Sequence, residues 1–200
     1  MAAETFTPSQ TRPIDISVAI RAYNSENTLP AILDKLKTQV ETGHIHWEIV
    51  IVDNNSTDTT AQIVQRYQEN WDRPYALKYY LEKQQGAAFA RKRAIDESTG
   101  ALIGFLDDDN IPDERWITEI YAFSSQHPKA GVFGSQIHGE FEVPPPAGFR
   151  KIQGFLAIKE YGDQPRRFNA DVLDLPAGAG MVIRKQVWTE NIPKELKLQG

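Results

Sequence analysis

The sequence predicts an α/β fold in which helices cover a mostly parallel central sheet. Short apolar runs rich in β-branched residues alternate with segments whose apolar residues recur at helical spacing, and this strand–helix pair occurs four times in succession. A helical connection between neighbouring strands normally leaves those strands parallel. The chain has 200 residues, of which 40% are hydrophobic, and this is enough for one sizeable core.

Six segments have the apolar, β-branched character of buried strands. The predicted strands are residues 16–20, 48–52, 76–81, 101–106, 130–134 and 179–184. The first four alternate with helices, whereas the last two flank a looser region interrupted by three consecutive prolines at positions 144–146. The sequence contains no internal repeat and no low-complexity linker. Residues 15–200 are therefore interpreted as one domain, preceded by a polar leader at residues 1–14.

Four helices are predicted from apolar residues at helical spacing. Their apolar positions are Leu29, Ile32, Leu33, Leu36 and Val40 in the first, Ile63, Val64 and Tyr67 in the second, Ala87, Ala90, Ala94 and Ile95 in the third, and Trp116, Ile117, Ile120 and Tyr121 in the fourth. Ser56 or Thr57 is expected to cap the second helix. Gly100 is expected to end the third helix, and Pro112 to begin the fourth.

The composition excludes several classes of function. The chain carries 22 Lys and Arg against 27 Asp and Glu, and its net charge of −5 gives no general electrostatic reason to bind nucleic acid. Because the chain has no cysteine, disulfides, zinc fingers, iron–sulfur clusters and thiol catalysis are excluded. No apolar run approaches the roughly 20 residues that a membrane-spanning helix needs. The first residues also lack the apolar core of a signal peptide.

Polar side chains follow three of the predicted strands at the point where each strand ends. The three polar segments are residues 21–24, 53–55 and 107–110. In an open parallel sheet, ligands bind in the crevice outside the carboxyl ends of the strands, and this places the three segments along one rim. Acidic groups from two strand ends would repel each other there unless water or a cation separates them.

Asp107 and Asp109 are the candidate metal ligands of this rim. Residues two positions apart can project to the same side of an extended or tightly turned backbone. Carboxylate oxygens suit Mg²⁺ or Mn²⁺, which usually take few protein ligands and complete their coordination with water and substrate phosphates. The alternative is a solvated acidic turn before a helix, because aspartate favours turns and helix N-termini.

Two further segments admit a functional and a structural interpretation. Asp53 could accept a hydrogen bond from the ring of a bound base or sugar, or it could simply initiate a turn. Gly86 opens a helix whose N-terminus could bind phosphate, with Arg91 placed to grip a diphosphate. The alternative for this helix is a surface position with solvated basic residues and an alanine face against the sheet. The sequence pattern alone leaves both choices open.

Five segments together resemble the family 2 glycosyltransferases, which are inverting enzymes with the GT-A fold. The segments are residues 17–24 (SVAIRAYN), 49–58 (IVIVDNNSTD), 86–91 (GAAFAR), 105–109 (FLDDD) and 176–181 (PAGAGM). Each match is weak alone, but the five occur in the family's order and span nearly the whole chain. The fourth segment is similar to the metal-binding Asp-x-Asp motif of the family.

The resemblance implies a nucleoside diphosphate sugar, linked to UDP or GDP, as donor. The residues expected to bind the donor nucleotide are Arg21, Ala22, Tyr23, Asn24, Asp53, Asn55, Gly86, Arg91, Asp107 and Asp108. Asp109 and Asp107 are expected to hold Mn²⁺ or Mg²⁺, and Gly178, Ala179 and Gly180 to face the acceptor. The implied acceptor is a hydroxyl group of a glycan, a lipid-linked sugar or a similar molecule. The implied setting is cytoplasmic polysaccharide or glycoconjugate synthesis, and the resemblance allows peripheral association with the inner face of a membrane.

The sequence departs from the family at the general base that an inverting transfer needs. In the family, that base is normally an aspartate, often in a Glu-Asp pair, and it follows the Gly-Ala-Gly segment. In this sequence the only acidic residues after Gly180 are Glu190 and Glu195. We therefore expect a truncated domain whose base lies beyond Gly200. The alternative function is a sugar-nucleotide-binding module that is inactive without this base. A second departure is residues 92–94 (KRA), where many members have Asn-x-Gly.

Overall fold

The computed structural model describes residues 12–172 and 174–193, and it contains one six-stranded sheet with helices on both faces. The strands are β1 (Ile16–Ala22), β2 (Trp47–Asp53), β3 (Leu77–Leu81), β4 (Leu102–Asp107), β5 (Val132–Gly134) and β6 (Met181–Arg184). The helices are α1 (Leu29–Lys37), α2 (Thr60–Glu69), α3 (Ala87–Glu97), α4 (Trp116–Gln126) and α5 (Lys185–Asn191). Most of the polar leader predicted at residues 1–14 lies outside the described residues.

The sheet is mostly parallel, as the sequence predicts. Its strand order is β3-β2-β1-β4-β6-β5, and the pairs β2–β3, β1–β2 and β1–β4 are parallel. Strand β6 is antiparallel to both of its neighbours, β4 and β5. The carboxyl ends of β1, β2, β3 and β4 therefore lie on the same edge of the sheet, which we call the rim.

Helices cover both faces of the sheet and bury its alternating side chains. On one face, α1, α2 and α4 pack against the strands, and the largest fully buried side chains there are Ile16, Ile20, Leu29, Ile32, Leu33, Leu36, Ile49, Ile51 and Ile117. On the other face, the small residues Ala90 and Ala94 bring α3 close to β1 and β2. Trp188 of α5 packs against the same face. The three-layer α/β/α arrangement follows directly from the strand–helix alternation of the sequence.

Helices α1, α2 and α4 each have one boundary that differs from the prediction. Helix α1 ends at Lys37, so that Val40 lies beyond it, and α2 begins at Thr60 with Thr59 as its N-cap residue. The predicted cap Ser56 is used elsewhere, because its hydroxyl accepts the N–H of Asn24 at 2.9 Å. Helix α4 begins at Trp116, several residues after the predicted start at Pro112, and residues 114 and 115 form a turn before it.

The prediction that Gly100 ends α3 is wrong. Ser98 is the C-cap residue and has an extended backbone, and the chain turns directly into β4. Gly100 instead lies against β1, where an added Cβ atom would stand 2.5 Å from the backbone nitrogen of Ser17. The glycine is therefore required by a close backbone approach and not by a left-handed helix end.

A buried carboxylate connects three strands at the edge opposite the rim. Glu48 of β2 is 1% exposed, and its Oε1 accepts hydrogen bonds from the hydroxyl of Ser17 and from the N–H and hydroxyl of Thr99, all between 2.7 and 2.8 Å. Its Oε2 lies 2.5 Å from Nζ of Lys78 on β3. Burial alone would raise the pKa of Glu48, but the hydrogen bonds from Lys78, Ser17 and Thr99 outweigh it and the pKa lies below its ordinary value.

In the part of the chain that the structure describes, no helix has the length and apolar character that a membrane span requires. The cytoplasmic setting at the inner face of a membrane stays a prediction.

Replacing Glu48 with glutamine should lower the free energy of unfolding by about 2–3 kcal/mol at neutral pH, because Lys78 loses its charged partner and Oε1 loses acceptor strength. A carboxylate with a depressed pKa contributes stability above its unfolded pKa, and the contribution is lost as the pH falls through the folded value. Urea unfolding of both proteins should therefore show a difference that is largest above about pH 5 and shrinks below about pH 4.

The control is Glu69→Gln, at an exposed carboxylate that accepts a hydrogen bond from Gln65 one helical turn away. This change should alter the free energy of unfolding by less than about 0.5 kcal/mol at every pH. An equal Glu48→Gln effect at pH 7 and pH 3.5 would contradict the linkage.

Candidate functional site

A cavity of about 400 Å³ opens at the rim between β1, β2, β4 and the start of α3. Its lining residues are Arg21, Ala22, Tyr23, Asn54, Gln85, Gly86, Ala87, Ala90 and Asp108. Five of the residues predicted to bind a donor nucleotide line this cavity, and they come from three segments that are distant in sequence. The volume is that of a small-molecule site, and its position is the one expected for a ligand of an open parallel sheet.

Asp107 and two arginines form an ionic cluster beside the cavity, on the face covered by α3. Strand pairing places Arg21 of β1 opposite Asp107 of β4, and Nε of Arg21 donates a hydrogen bond to Oδ1 of Asp107 at 2.7 Å. Arg91 of α3 approaches the same oxygen, with its Nη2 at 3.8 Å. The hydrogen bond to Asp107 raises the pKa of Arg21. Both arginines therefore remain charged and stay close to one carboxylate.

Arg91 is held in place by packing as well as by charge. Its guanidinium lies 5.4 Å from the centre of the Phe105 ring, and Gly178 approaches it so closely that an added Cβ atom would stand 2.9 Å from Nη2. Burial lowers the pKa of Arg91, Asp107 opposes that change, and the positive charge of Arg21 adds to it. Position 91 is thus a well-fixed cation at the rim, as its predicted role requires.

Asp108 stabilises the loop that carries Tyr23. One oxygen of its carboxylate accepts hydrogen bonds from the hydroxyl of Ser25 and, at 3.1 Å, from the N–H of Tyr23. Tyr23 is 50% exposed and lines the cavity. An exposed aromatic ring beside a polar cavity offers a surface on which a planar ligand can stack.

Asp109 has the exposed carboxylate of the three consecutive aspartates, and no hydrogen bond to it occurs within residues 12–172 and 174–193. No group of three His, Cys, Asp or Glu side chains in these residues could form a metal site by itself. Mg²⁺ and Mn²⁺ nevertheless bind through one or two carboxylates when substrate phosphates supply further oxygens. Asp109 fits that kind of site, whereas Asp107 is already held by the arginines, and the metal ligands stay a prediction.

Asp53 is enclosed in the structure and shapes the end of β2. Its side chain is 2% exposed, Oδ1 accepts the N–H of Ser56 at 2.8 Å, and Oδ2 accepts the hydroxyl of Tyr79 at 2.7 Å. Burial and the bond to Asp53 both raise the pKa of Tyr79, which keeps the phenol protonated as the donor. Asp53 does not line the cavity, and its predicted contact with a base stays a prediction.

Asn54 is a cavity residue that the sequence reasoning missed. Its Oδ1 accepts the N–H of Gly86 at 2.8 Å, while its Nδ2 donates to the carbonyl oxygens of Gln84 at 2.7 Å and Glu82 at 3.3 Å. The amide thus holds the loop between β3 and α3 against the end of β2. Its position within the strand-end segment was a signal, but the partners are backbone atoms of a distant loop and leave no pattern in the sequence.

Asn24 and Asn55 both adopt the left-handed backbone region, with φ of 52° and 64°. Asparagine tolerates this region better than most residues. Oδ1 of Asn24 accepts the N–H of Thr57 at 2.8 Å, which ties the loop after β1 to the loop after β2. Asn55 is exposed beside it. The structure thus shows how these residues shape two loops, and their predicted contact with a nucleotide is untested.

The segment predicted to face an acceptor, residues 178–180, contacts Arg91 at its first residue and lines a second, larger cavity at its last. The N–H of Gly180 donates to the carbonyl oxygen of Phe105 at 2.8 Å, and Gly180 has a positive φ of 72°. This residue lines a groove of about 1310 Å³ between α4, β5 and residues 161–168, and we call it the α4 groove. Gly178 packs on Arg91, and Ala179 is buried between the two glycines.

The general base is expected beyond Gly200 and therefore lies outside the described residues. Glu195 lies outside them as well. Glu190 is described, and it lies exposed on α5, where it accepts a hydrogen bond from Gln186.

Comparison with known proteins adds a family match and several longer relatives. The sequence model of the family described as Glycosyl transferase family 2 matches residues 17–188. Over 105 residues the chain is 37% identical to the glycosyltransferase TuaG of Bacillus subtilis (strain 168), a match that covers 50% of this chain and 36% of TuaG.

Two solved structures share the fold. One is residues 1–349 of S. aureus TarS in complex with UDP-GlcNAc, with a TM-score of 0.67 and 22% identity over 89% of this chain and 47% of that chain. The other is the mannosyltransferase PcManGT of Pyrobaculum calidifontis in complex with GDP-Man and Mn²⁺, with a TM-score of 0.62 and 20% identity over 92% of this chain and 50% of that chain. The GT-A architecture implied by the sequence resemblance is thereby confirmed. The chain spans about a third of TuaG and about half of the two solved chains.

Replacing Asn54 with alanine should expose the backbone of the loop before α3, because the N–H of Gly86 loses its acceptor and two carbonyl groups lose their donor. Hydrogen–deuterium exchange at Gly86 should become faster, and the free energy of unfolding should fall by about 1–3 kcal/mol. Asn55→Gly is the matched control, because it removes the neighbouring exposed side chain without straining the left-handed backbone. Unchanged exchange at Gly86 in Asn54→Ala would contradict the assigned role.

Proposed function

The chain belongs to glycosyltransferase family 2, and from this premise we propose that it transfers a sugar from a nucleoside diphosphate donor to a hydroxyl group with inversion of the anomeric carbon. The observation that carries the proposal is the rim itself. Arg21, Tyr23 and Asp108 line a cavity of about 400 Å³ there, and Arg91 lies close to Asp107, the partner of Arg21. The reaction belongs to the synthesis of a polysaccharide or another glycoconjugate, in keeping with the relative TuaG, which is named for teichuronic acid biosynthesis.

The donor lies across the strand ends with its nucleoside in the 400 Å³ cavity. Tyr23 stacks on the base at the mouth of the cavity, and Asn54 and Gly86 form its wall. Asp53 supports this wall from beneath and contacts the base only if the loop after β2 opens. UDP and GDP are the two nucleotides to test, since the solved structures with the same fold hold a UDP-linked and a GDP-linked sugar.

A divalent cation, Mn²⁺ or Mg²⁺, fits Asp109, with Asp107 as a second oxygen donor if the arginines release it. When bound, such a cation stabilises the negative charge that develops on the diphosphate as the sugar departs. The chain's own residues position the donor. Arg91 is fixed between Phe105 and Gly178 and holds positive charge next to the rim.

The acceptor enters from the side of Gly178, Ala179 and Gly180. The α4 groove begins at Gly180 and is lined by aromatic rings, among them Phe123, Phe133 and Phe168. An apolar, aromatic groove of this size suits a glycan or a lipid-linked sugar as acceptor, since sugar faces and lipid chains both pack on aromatic rings. The general base that removes the acceptor proton is an acidic residue outside the described part of the chain.

Asp109→Ala should abolish the metal-dependent part of nucleotide binding. Isothermal titration of UDP and GDP should show tighter binding with Mn²⁺ than with EDTA for the unaltered chain, and equal, weaker binding in both conditions for the variant. The matched control is Asp72→Ala, which removes an exposed carboxylate from the loop between α2 and β3. If Asp109→Ala keeps the full Mn²⁺ effect, the metal is not held there.

Turnover of UDP- and GDP-linked sugars distinguishes an enzyme from a binding module. Release of UDP or GDP by this 200-residue chain, with or without a glycan acceptor, should be detectable if the catalytic base is present. Nucleotide binding without any release would favour the binding module, and the absence of both would contradict the proposed function.

A further inference from the structure

Two guanidinium groups approach a single carboxylate at the rim. Arg21 donates from Nε to Oδ1 of Asp107 at 2.7 Å, and Nη2 of Arg91 lies 3.8 Å from the same oxygen. The three side chains are only partly exposed, at 36%, 35% and 22% for Arg21, Arg91 and Asp107. These three side chains carry one net positive charge, and Asp108 and Asp109 at the same strand end also act on Arg21, so its guanidinium lies in a region of mixed charge where solvent screening is reduced.

The terminal nitrogens of Arg21 are available for further hydrogen bonds. Within residues 12–172 and 174–193, only Nε of this side chain donates a hydrogen bond, and the residue lines the 400 Å³ cavity. Nε of Arg91 is buried and likewise has no partner among these residues. Burial lowers the pKa of Arg91, while the charge of Asp107 opposes that change and the charge of Arg21 adds to it. A phosphate group at the edge of the cavity would accept hydrogen bonds from the terminal nitrogens of Arg21.

We propose that Arg21 is a specificity-determining residue that binds the diphosphate of the donor directly, so that part of the donor affinity does not require a divalent cation. This inference rests on the proposed function. Asp107 then acts as a positioning residue, because it holds Arg21 and Arg91 on the same side of the rim. The planar guanidinium fork is suited to paired phosphate oxygens, whereas a lysine at this position would provide charge without the fork.

A purely structural role for Arg21 is the competing interpretation. Arg21 would then only neutralise Asp107, and its removal would weaken nucleotide binding by exposing a negative charge at the rim. The two interpretations differ in a background where Asp107 is already neutral. Asp107→Asn removes the charge but keeps a side-chain oxygen that can accept the hydrogen bond from Nε of Arg21, so Arg21 stays positioned and its effect can be measured with and without the charge.

The experiment is isothermal titration in EDTA with UDP, UMP and uridine, and with GDP, GMP and guanosine in parallel. Arg21→Gln should weaken the diphosphate at least about tenfold, as expected for a charged hydrogen bond, and should change the affinity for the nucleoside less than about twofold. The same loss should appear when Arg21→Gln is combined with Asp107→Asn. The control is Arg93→Gln, since Arg93 lies on α3 but pairs with Glu97 and does not line the cavity.

Each outcome supports or overturns the inference. Loss of diphosphate affinity that persists with Asp107→Asn supports a direct contact, whereas a loss that vanishes in that background overturns it. An equal loss for uridine or guanosine overturns it as well, because Arg21 would then contact the base or ribose. If Arg21→Gln unfolds, Arg21→Lys should still weaken the diphosphate about threefold or more and spare the nucleoside. Failure of the unaltered chain to bind either nucleotide, even with Mn²⁺, would overturn the proposed function itself.

Discussion

The parallel register of β1 between β2 and β4 is the constraint on which the site depends. Because this register pairs Arg21 with Asp107 and Ala22 with Asp53, residues separated by as many as 86 positions in sequence reach one edge of the sheet. A shift of one residue would turn Arg21 to the opposite face, away from α3 and Arg91. The apolar side chains of β1 fix the register, since the same shift would exchange the two buried faces of the central strand.

Charged groups at the two edges of the sheet differ in how completely their hydrogen-bonding capacity is used. At the edge away from the rim, both oxygens of Glu48 are fully occupied by Ser17, Thr99 and Lys78. At the rim, Asp109 and the terminal nitrogens of Arg21 retain bonding capacity within the described residues. Saturated polar groups stabilise a fold, whereas unsaturated ones at a cavity are suited to a ligand. The contrast supports the proposal that the rim is the edge that binds a ligand.

The sequence predicts the sheet, most of the helices and the position of the rim, because these follow from apolar periodicity and from the rule for parallel strands. It does not predict which strand-end residues face the cavity. Asp53 and Asn54 are adjacent, but the hydroxyl of Tyr79 and the N–H of Ser56 enclose the first, while Gly86 draws the second to the cavity wall. The role of Gly100 cannot be predicted from the sequence for the same reason, because the backbone of Ser17 that requires a glycine there lies on another strand. Such contacts are non-local and leave no periodic signal.

The charges of the rim explain why acidic and basic groups are both needed there. Asp107, Asp108 and Asp109 against Arg21 and Arg91 leave a small negative balance, and a divalent cation with a diphosphate sugar would change it little, since their charges nearly cancel. In the proposed reaction this balance would change when the sugar leaves, because the diphosphate would gain negative charge at that moment. Preorganised positive groups are most effective against charge that develops during a reaction. Arg21, which Asp107 holds on β1, is such a group. The proposed contact with the diphosphate would explain why this arginine is paired with an aspartate of the same rim.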